Sequence, residues 1–366
     1  MNVPRVDLAF QEKPLKEEIM TAISEVIDSY HLIMGKNVAD LEKQTANYIG
    51  VPESVAVANG TDALKLSLVA LGIGKGDEVI TTPFTFGANV EALLLLGAKP
   101  VFADVDKETF NISPDLIEEK ITKKTKAILP VHLFGCPAEI GKIKKTADNN
   151  NLPFIEDCAQ AFGAEYKGKK CGSFGELSGN SFYPTKNLGC YGDGGIIYSN
   201  TIELSEKLRL LRFHGQKEQY TYKYLGWNSR LDEIQAAILL IKLKHIDEWN
   251  NYRIKAAEWY KEELSDVPEI TIPVVPKNVK HIFHLYTLKT EKRDLLKKHL
   301  EKNSIGTTIN YPAPLHMQEA FSGIGKKGNY PNAEWLCEKS ISIPMFVGIT
   351  HEQVNFVSEK IKEFYS

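Results

Sequence analysis

The chain has 366 residues, 43% hydrophobic and 25% charged, enough to bury a substantial core as one large or two interdependent globular domains. Lysine and arginine number 44 against 47 acidic residues, and a net charge of -3 supplies no global field for a nucleic-acid partner. The five cysteines, Cys136, Cys158, Cys171, Cys190 and Cys337, are scattered without a C-x-x-C pair, which argues against a disulfide scaffold or a zinc site and fits reduced thiols.

The opening stretch MNVPRVDLAFQEKP carries charges where a secretory signal needs an apolar core. The longest apolar run, Val90 to Ala98, is broken by Glu91 and falls far short of the roughly 20 residues that span a bilayer. A cytoplasmic protein with no membrane partner is expected. From about residue 54, short β-rich runs alternate with helical stretches: SVAVA, a helix from Thr61, DEVIT, a further helix, KPVFADV, KAILPV and PFIED. That alternation implies right-handed crossovers and a mostly parallel sheet covered on both faces, an α/β fold. Leu231 to about Leu264 has apolar residues at helical spacing without proline or glycine and reads as one long connecting helix. Beyond it, VPEITIPVVP is β-like, HIFHLYTLK is a strand candidate, and RDLLKKHLEKNSIG reads as a helix ending at Gly306. The expected division is a large α/β domain over 1–245 and a smaller α+β domain over 246–366.

The glycine cluster Gly72-Ile-Gly74-Lys-Gly76 follows a helix and precedes a strand, the reverse of the order that presents helix-terminal N–H groups to a dinucleotide. It reads as a turn, and no G-x-x-x-x-G-K-[ST] phosphate loop is present. Three other sites stand out. Lys186, in Ser181-Phe-Tyr183-Pro-Thr-Lys186-Asn-Leu-Gly189, is bounded by apolar and turn residues, where desolvation favours the neutral amine needed for a Schiff base. Asp157, in Phe154-Ile-Glu156-Asp157-Cys-Ala-Gln160, closes a buried-looking strand, either as a helix cap or as a carboxylate that keeps a pyridine nitrogen protonated. The turn Ala58-Asn59-Gly60-Thr61-Asp62 joins a strand to a helix start, as an ordinary cap or as a phosphate site.

Taken with Phe86 in TPFTFGAN, this order of motifs resembles the DegT/DnrJ/EryC1/StrS family of pyridoxal 5'-phosphate (PLP) sugar aminotransferases, from Val6-Asp-Leu8 to the C-terminus. The resemblance implies the three-layer fold of aspartate aminotransferase. It implies that Lys186 carries PLP covalently and shuttles the proton, that Asp157 pairs with the pyridine nitrogen, that Gln160 lies near the phenolic oxygen and that Phe86 stacks on the ring. Gly60, Thr61, Asp62 through backbone N–H groups, and Ser181 would hold the phosphate. Asn228, in Gly226-Trp-Asn228-Ser-Arg230, would reach the phosphate of a second copy in a homodimer with shared sites, with Arg230 beside it. Sugar-deoxygenating relatives carry histidine where Lys186 stands, so transamination from an amino acid, glutamate, is the implied reaction.

The segments SFYPTKNLGCYGDGG, RFHGQKEQYTYKYLGWNSRLDEIQAA and TTINYPAPLH resemble the branch that aminates C3 of nucleotide-linked 3-keto sugars. A thymidine-diphosphate 3-keto-6-deoxyhexose is the first expectation; a uridine-diphosphate N-acetylated 3-keto sugar, or a 4-keto sugar, is the alternative. Relatives have histidine before Tyr-Pro where this chain has Asn310-Tyr311-Pro312, and asparagine cannot change charge near neutral pH. Tyr183, Tyr311 and His316 stand as contacts to the sugar or its diphosphate, or as packing. His214 and His284 read as structural. Tyr220, Tyr222, Tyr224 and Trp227 line a nucleotide pocket or pack a loop. Two further readings remain, a PLP enzyme on another acceptor and a regulatory protein that kept the fold without catalysis; the second is expected to lack Lys186 or Asp157, and both are present.

Overall fold

The computed structural model describes residues 1–366. Its centre is a sheet of β1 (Glu53–Val57), β2 (Glu78–Thr81), β3 (Lys99–Phe102), β4 (Thr125–Ile128), β5 (Ile155–Asp157), β6 (Leu177–Ser181) and β7 (Gly195–Ser199). Strands β3, β2 and β4 pair in parallel, and so do β5 and β6. The parallel bridges Ile128 to Phe154 and Val131 to Asp157 join the two groups, giving the order β3-β2-β4-β5-β6-β7-β1. Only β7 runs against its neighbours, pairing antiparallel with both β6 and β1. Near-continuous burial of β1, β2 and β6 follows from cover on both faces.

The helices are α1 (Lys16–Ser29), α2 (Lys36–Ile49), α3 (Gly60–Ala70), α4 (Ala88–Leu95), α5 (Ile140–Asn149), α6 (Ile202–Leu211), α7 (Glu233–Leu243), α8 (Ile246–Leu264), α9 (Arg293–Lys302), α10 (Pro331–Lys339) and α11 (His351–Tyr365). The single long helix expected over 231–264 is two, α7 and α8, parted at Lys244 and His245. Helix α7 packs with Leu41 and Ile19 in one core, and α8 runs on from that core into another. Ile246 and Trp249 belong to the first core, and Ala256, Tyr260 and Leu264 to the second. The division between the two cores therefore falls inside α8. Val3 also packs in the second core, its backbone bridging Ile305, so the first residues of the chain lie with the C-terminal part.

That second core is built on β8 (Ile270–Thr271), β9 (Tyr286–Thr290) and β10 (Ser340–Ile343), in the order β8-β9-β10, under α8, α9 and α11. The strand expected over HIFHLYTLK begins only at Tyr286, because Phe283 takes a positive φ of 46°. Helix α9 ends at Lys302, closed by Ser304 at φ 59° rather than by Gly306. Gly306 is needed for another reason: a Cβ there would lie 2.5 Å from the Arg5 nitrogen of the N-terminal segment. The 72–76 glycines form the expected turn, with Gly72 and Gly76 at φ 78° and 88°.

Glu42 of α2 ties the edge of the sheet together. Its carboxylate accepts from Arg209 and Arg212, each at 2.5 Å, and from the Ala56 N–H at 2.9 Å. Arg212 is almost wholly buried, so Glu42→Ala leaves a covered guanidinium unpaired. We expect that variant to lose about 3 kcal/mol of folding stability in a denaturant titration, whereas Lys36→Ala, which breaks an exposed pair with Asp40, changes it by less than about 0.5 kcal/mol.

Candidate active site

Strands β1, β2, β5 and β6 all point the same way, so their carboxyl ends open on one edge of the sheet, where open α/β sheets receive ligands. Thr61, Phe86 and Lys186 each follow one of those ends, and Asp157 is the last residue of β5. At the β1–α3 turn, the Asn59 side chain caps the helix by accepting from the Asp62 N–H at 2.8 Å. This departs from the role expected of Asp62: its N–H is spent inside the cap, and its carboxylate takes Lys65 at 2.6 Å. The helix start thus offers the N–H groups of Gly60 and Thr61 and the Thr61 hydroxyl. Gly60 brings Ser181 against them, since a Cβ at Gly60 would sit 2.7 Å from the Ser181 Cβ and 3.2 Å from its hydroxyl. These groups form a cradle of anion-binding donors on the sheet edge.

Asp157 is 5% exposed, and its backbone is pinned in the sheet by bonds to Pro130 and His132, both at 3.0 Å. Burial raises its carboxyl above the ordinary range, opposed by the Ala159 N–H at 2.9 Å and by the charge of Lys186. Lys186 shifts the other way: burial lowers its amine to about 8, and Asp157 only partly offsets this. An amine near 8 has a substantial neutral fraction at physiological pH, as a nucleophile toward an aldehyde requires. Lys186 is also anchored by its neighbour. Asn187 accepts at Oδ1 from His284 Nδ1 at 3.0 Å and donates from Nδ2 to Asn250 at 2.7 Å, and Asn250 donates to the Phe162 carbonyl at 3.0 Å. His284 is held neutral by burial and then by the Lys186 charge, in keeping with its structural reading.

Glu156, one residue before Asp157, points to the opposite face by strand alternation. It accepts from the Gly172, Phe174 and Gly175 N–H groups at 2.9, 2.8 and 2.9 Å and pairs with His132 Nε2 at 2.9 Å. Burial pushes its pKa up, yet these hydrogen bonds hold it below the ordinary carboxylate value. Sequence reasoning missed this anchor behind Asp157; the alternation of two adjacent carboxylates at a strand end was its only signal.

Gln160 accepts from the Phe134 N–H at 2.8 Å and donates to the Tyr311 hydroxyl at 3.3 Å, joining the large sheet's loops to the C-terminal part. Burial pushes the Tyr311 hydroxyl above its ordinary pKa, so it stays protonated. Phe86, 61% exposed, and Tyr311 share the wall of an open cavity of about 730 Å³ that also meets Thr85, Glu91 and Phe321. Asn310 has a buried Oδ1 without a partner, and Tyr183 is exposed beside Ser181. His316 is set apart from these: its side chain is 0% exposed, bonded to Glu334 at 3.0 Å and packed on Tyr330, so it braces the loop and offers no accessible atom to a sugar. Asn228 is exposed, and the Arg230 guanidinium lies 5.1 Å over the Phe213 ring. Ser229 between them accepts from the Ala58 N–H at 3.3 Å, fixing this segment beside the phosphate-type turn.

The sequence matches the DegT/DnrJ/EryC1/StrS aminotransferase family over residues 13–362. The chain belongs to that family. Similar proteins include a "pleiotropic regulatory protein" of Geobacillus stearothermophilus, 47% identical over 100% of this chain and 99% of the relative. A UDP-N-acetyl-3-dehydro-alpha-D-glucosamine 3-aminotransferase of Acidithiobacillus ferrooxidans is 43% identical over 98% and 97%. A dTDP-3-amino-3,4,6-trideoxy-alpha-D-glucose transaminase of Streptomyces venezuelae is 39% identical over 99% and 96%. The crystal structure of S. venezuelae DesV in complex with a ketimine intermediate superposes with a TM-score of 0.97 at 39% identity, covering 99% of this chain and 98% of DesV. For a DegT/DnrJ/EryC1/StrS protein the architecture is the one described above, a PLP-dependent transferase fold with a mixed, mostly parallel sheet. No helix is long and apolar enough to cross a membrane.

The buried amine has a consequence for the protein without cofactor. The folded-state pKa of Lys186 lies below the ordinary 10.5, so the penalty of burying its charge is full below about pH 8 and disappears as pH rises through 10.5. Lys186→Met is expected to stabilise the cofactor-free protein at pH 7 by about 1–3 kcal/mol, with a gain that shrinks steadily toward pH 10, read from denaturant midpoints across pH.

Proposed function

We propose that this chain is a PLP-dependent transaminase that moves an amino group from an amino acid, glutamate, to the C3 keto group of a nucleotide-linked sugar. The observation that carries the reading is the half-buried Lys186, its amine lowered to about 8, coupled by charge to the buried Asp157 carboxylate at the sheet edge that also holds the Gly60–Thr61–Ser181 cradle. PLP supplies a reversible carbonyl attachment and a ring that accepts electrons from the carbon losing its proton. Asp157, as the anion, would keep a proton on the pyridine nitrogen. The Gly60 and Thr61 N–H groups and the Thr61 and Ser181 hydroxyls would hold the phosphate, Gln160 would lie near the phenolic oxygen, and Phe86 would cover the ring. Lys186, whose surroundings favour the neutral amine, would serve as the base that takes the proton from the donor's α-carbon.

A homodimer fits the exposed apolar surface near this edge. Tyr30 is 88% exposed and Leu225 87%, with Leu32, Tyr220 and Tyr222 also open, a density of large apolar groups that a monomer rarely leaves to water. Asn228, exposed beside Arg230, would reach the phosphate of the second copy, with Arg230 toward the substrate diphosphate. Tyr183, Asn310 and Tyr311 line the sugar's approach.

A thymidine-diphosphate 3-keto-6-deoxyhexose is the first substrate choice; the 43% identity to an enzyme named for a UDP-linked N-acetylated 3-keto sugar favours that class as a second reading. Purified protein is expected to aminate 3-keto sugars on one of these two carriers, with glutamate as donor and product detected by mass. Turnover of 4-keto sugars alone would refute the C3 assignment. Asp157→Asn is expected to lower turnover at least about a hundredfold by leaving the pyridine nitrogen without its anion.

A further inference from the structure

Asn89, in the first turn of α4, is buried at 1% exposure, yet neither its Nδ2 nor its Oδ1 makes a hydrogen bond. Its helix neighbours Ala88, Val90, Ala92 and Leu93 are apolar and packed, so an apolar residue would suit the fold better at this position. Buried amides without a partner are uncommon, and such a group invites a reason beyond packing. Asn89 lies three residues after Phe86, and its amide faces the Asp157 carboxylate closely enough to favour the charged form, although short of a hydrogen bond of normal geometry. Of the Asp157 oxygens, Oδ1 already takes the Ala159 N–H at 2.9 Å.

We propose that Asn89 is a positioning residue that donates its amide hydrogen to Asp157 in the PLP-loaded protein and so keeps that carboxylate ionised and aimed at the pyridine nitrogen. The inference rests on the reading of Lys186 and Asp157 as cofactor residues. The physical need is clear from the surroundings. Burial drives Asp157 toward its neutral form, which cannot hold a proton on the ring nitrogen as an ion pair. The groups that oppose this are the Ala159 N–H, the Lys186 charge, the Asn89 amide and His132, whose Nδ1 and Nε2 are engaged with Ala138 and Glu156. Cys158 and Tyr311 also face Asp157 and stay protonated, their pKa values raised by burial.

The test is a PLP titration of wild type and of Asn89→Leu, Asn89→Asp and Asn89→Ser, with two readouts: the dissociation constant, and the pH midpoint of the visible absorbance band of bound cofactor. The leucine variant, with the same number and branching of side-chain heavy atoms and without a donor, should weaken PLP binding about tenfold and raise the pH midpoint by about one unit, because a less protonated ring no longer depresses it. The aspartate variant, placing a like charge beside Asp157, should lose more, and the serine variant, which keeps a donor, should lose less than leucine. Should leucine fail to fold, the aspartate and serine pair decides on the same two readouts. Variants within twofold of wild type and with an unchanged midpoint would overturn the proposal, as would equal weakening in all three with a fixed midpoint, the mark of packing alone. A wild-type protein that takes up no PLP would remove the cofactor reading itself and this inference with it.

Discussion

The opposition between Asp157 and Lys186 is the constraint on which the rest depends. Burial drives both groups toward neutrality, the carboxyl upward and the amine to about 8, while each one's charge holds the other back. Neither shift would persist at a solvated surface. The fold must therefore provide a dry edge, hold two chain segments rigidly there, and leave an opening for a ligand. Glu156 and His132 fix the strand end from behind, and the Asn187–His284–Asn250 chain fixes the lysine loop from the side. Both anchors are buried and have their polar groups paired with one another, which holds the two segments in place.

Strand direction does the remaining assembly. Because β1, β2, β5 and β6 are parallel, four segments far apart in sequence deliver their first loop residues to one edge. The antiparallel β7 intervenes between β6 and β1, and Gly195 at its start admits the Asn59 backbone, since a Cβ there would lie 2.4 Å from it. Gly60 performs the matching service for Ser181. Tyr311, reaching Gln160 from the C-terminal part, closes the site from the other side and couples the two cores across the cleft.

Much of this was legible in the sequence because it rests on local signals. Alternating strands and helices gave the α/β sheet, and the order of Thr61, Phe86, Asp157 and Lys186 gave the family. What was not legible depends on tertiary context. The break between α7 and α8 at Lys244 and His245 has no proline or glycine to announce it. The Asp62 N–H, placed at a turn that read as an ordinary cap or a phosphate site, donates to Asn59, a competition between adjacent polar groups that only geometry decides. His316 looked like a ligand contact by residue type and is sealed against Glu334. Asn89 drew no notice because a lone asparagine in an apolar stretch has no motif; its meaning lies in the carboxylate it faces.

The account stands on Lys186 as the residue that carries the cofactor. The most direct measurement is to load the protein with PLP, reduce it with borohydride, digest it and locate the modified peptide by mass spectrometry. The account predicts one stable phosphopyridoxyl group, on Lys186, in the peptide containing Tyr183-Pro-Thr-Lys186-Asn. Modification spread over surface lysines, or none after saturating PLP, would contradict it.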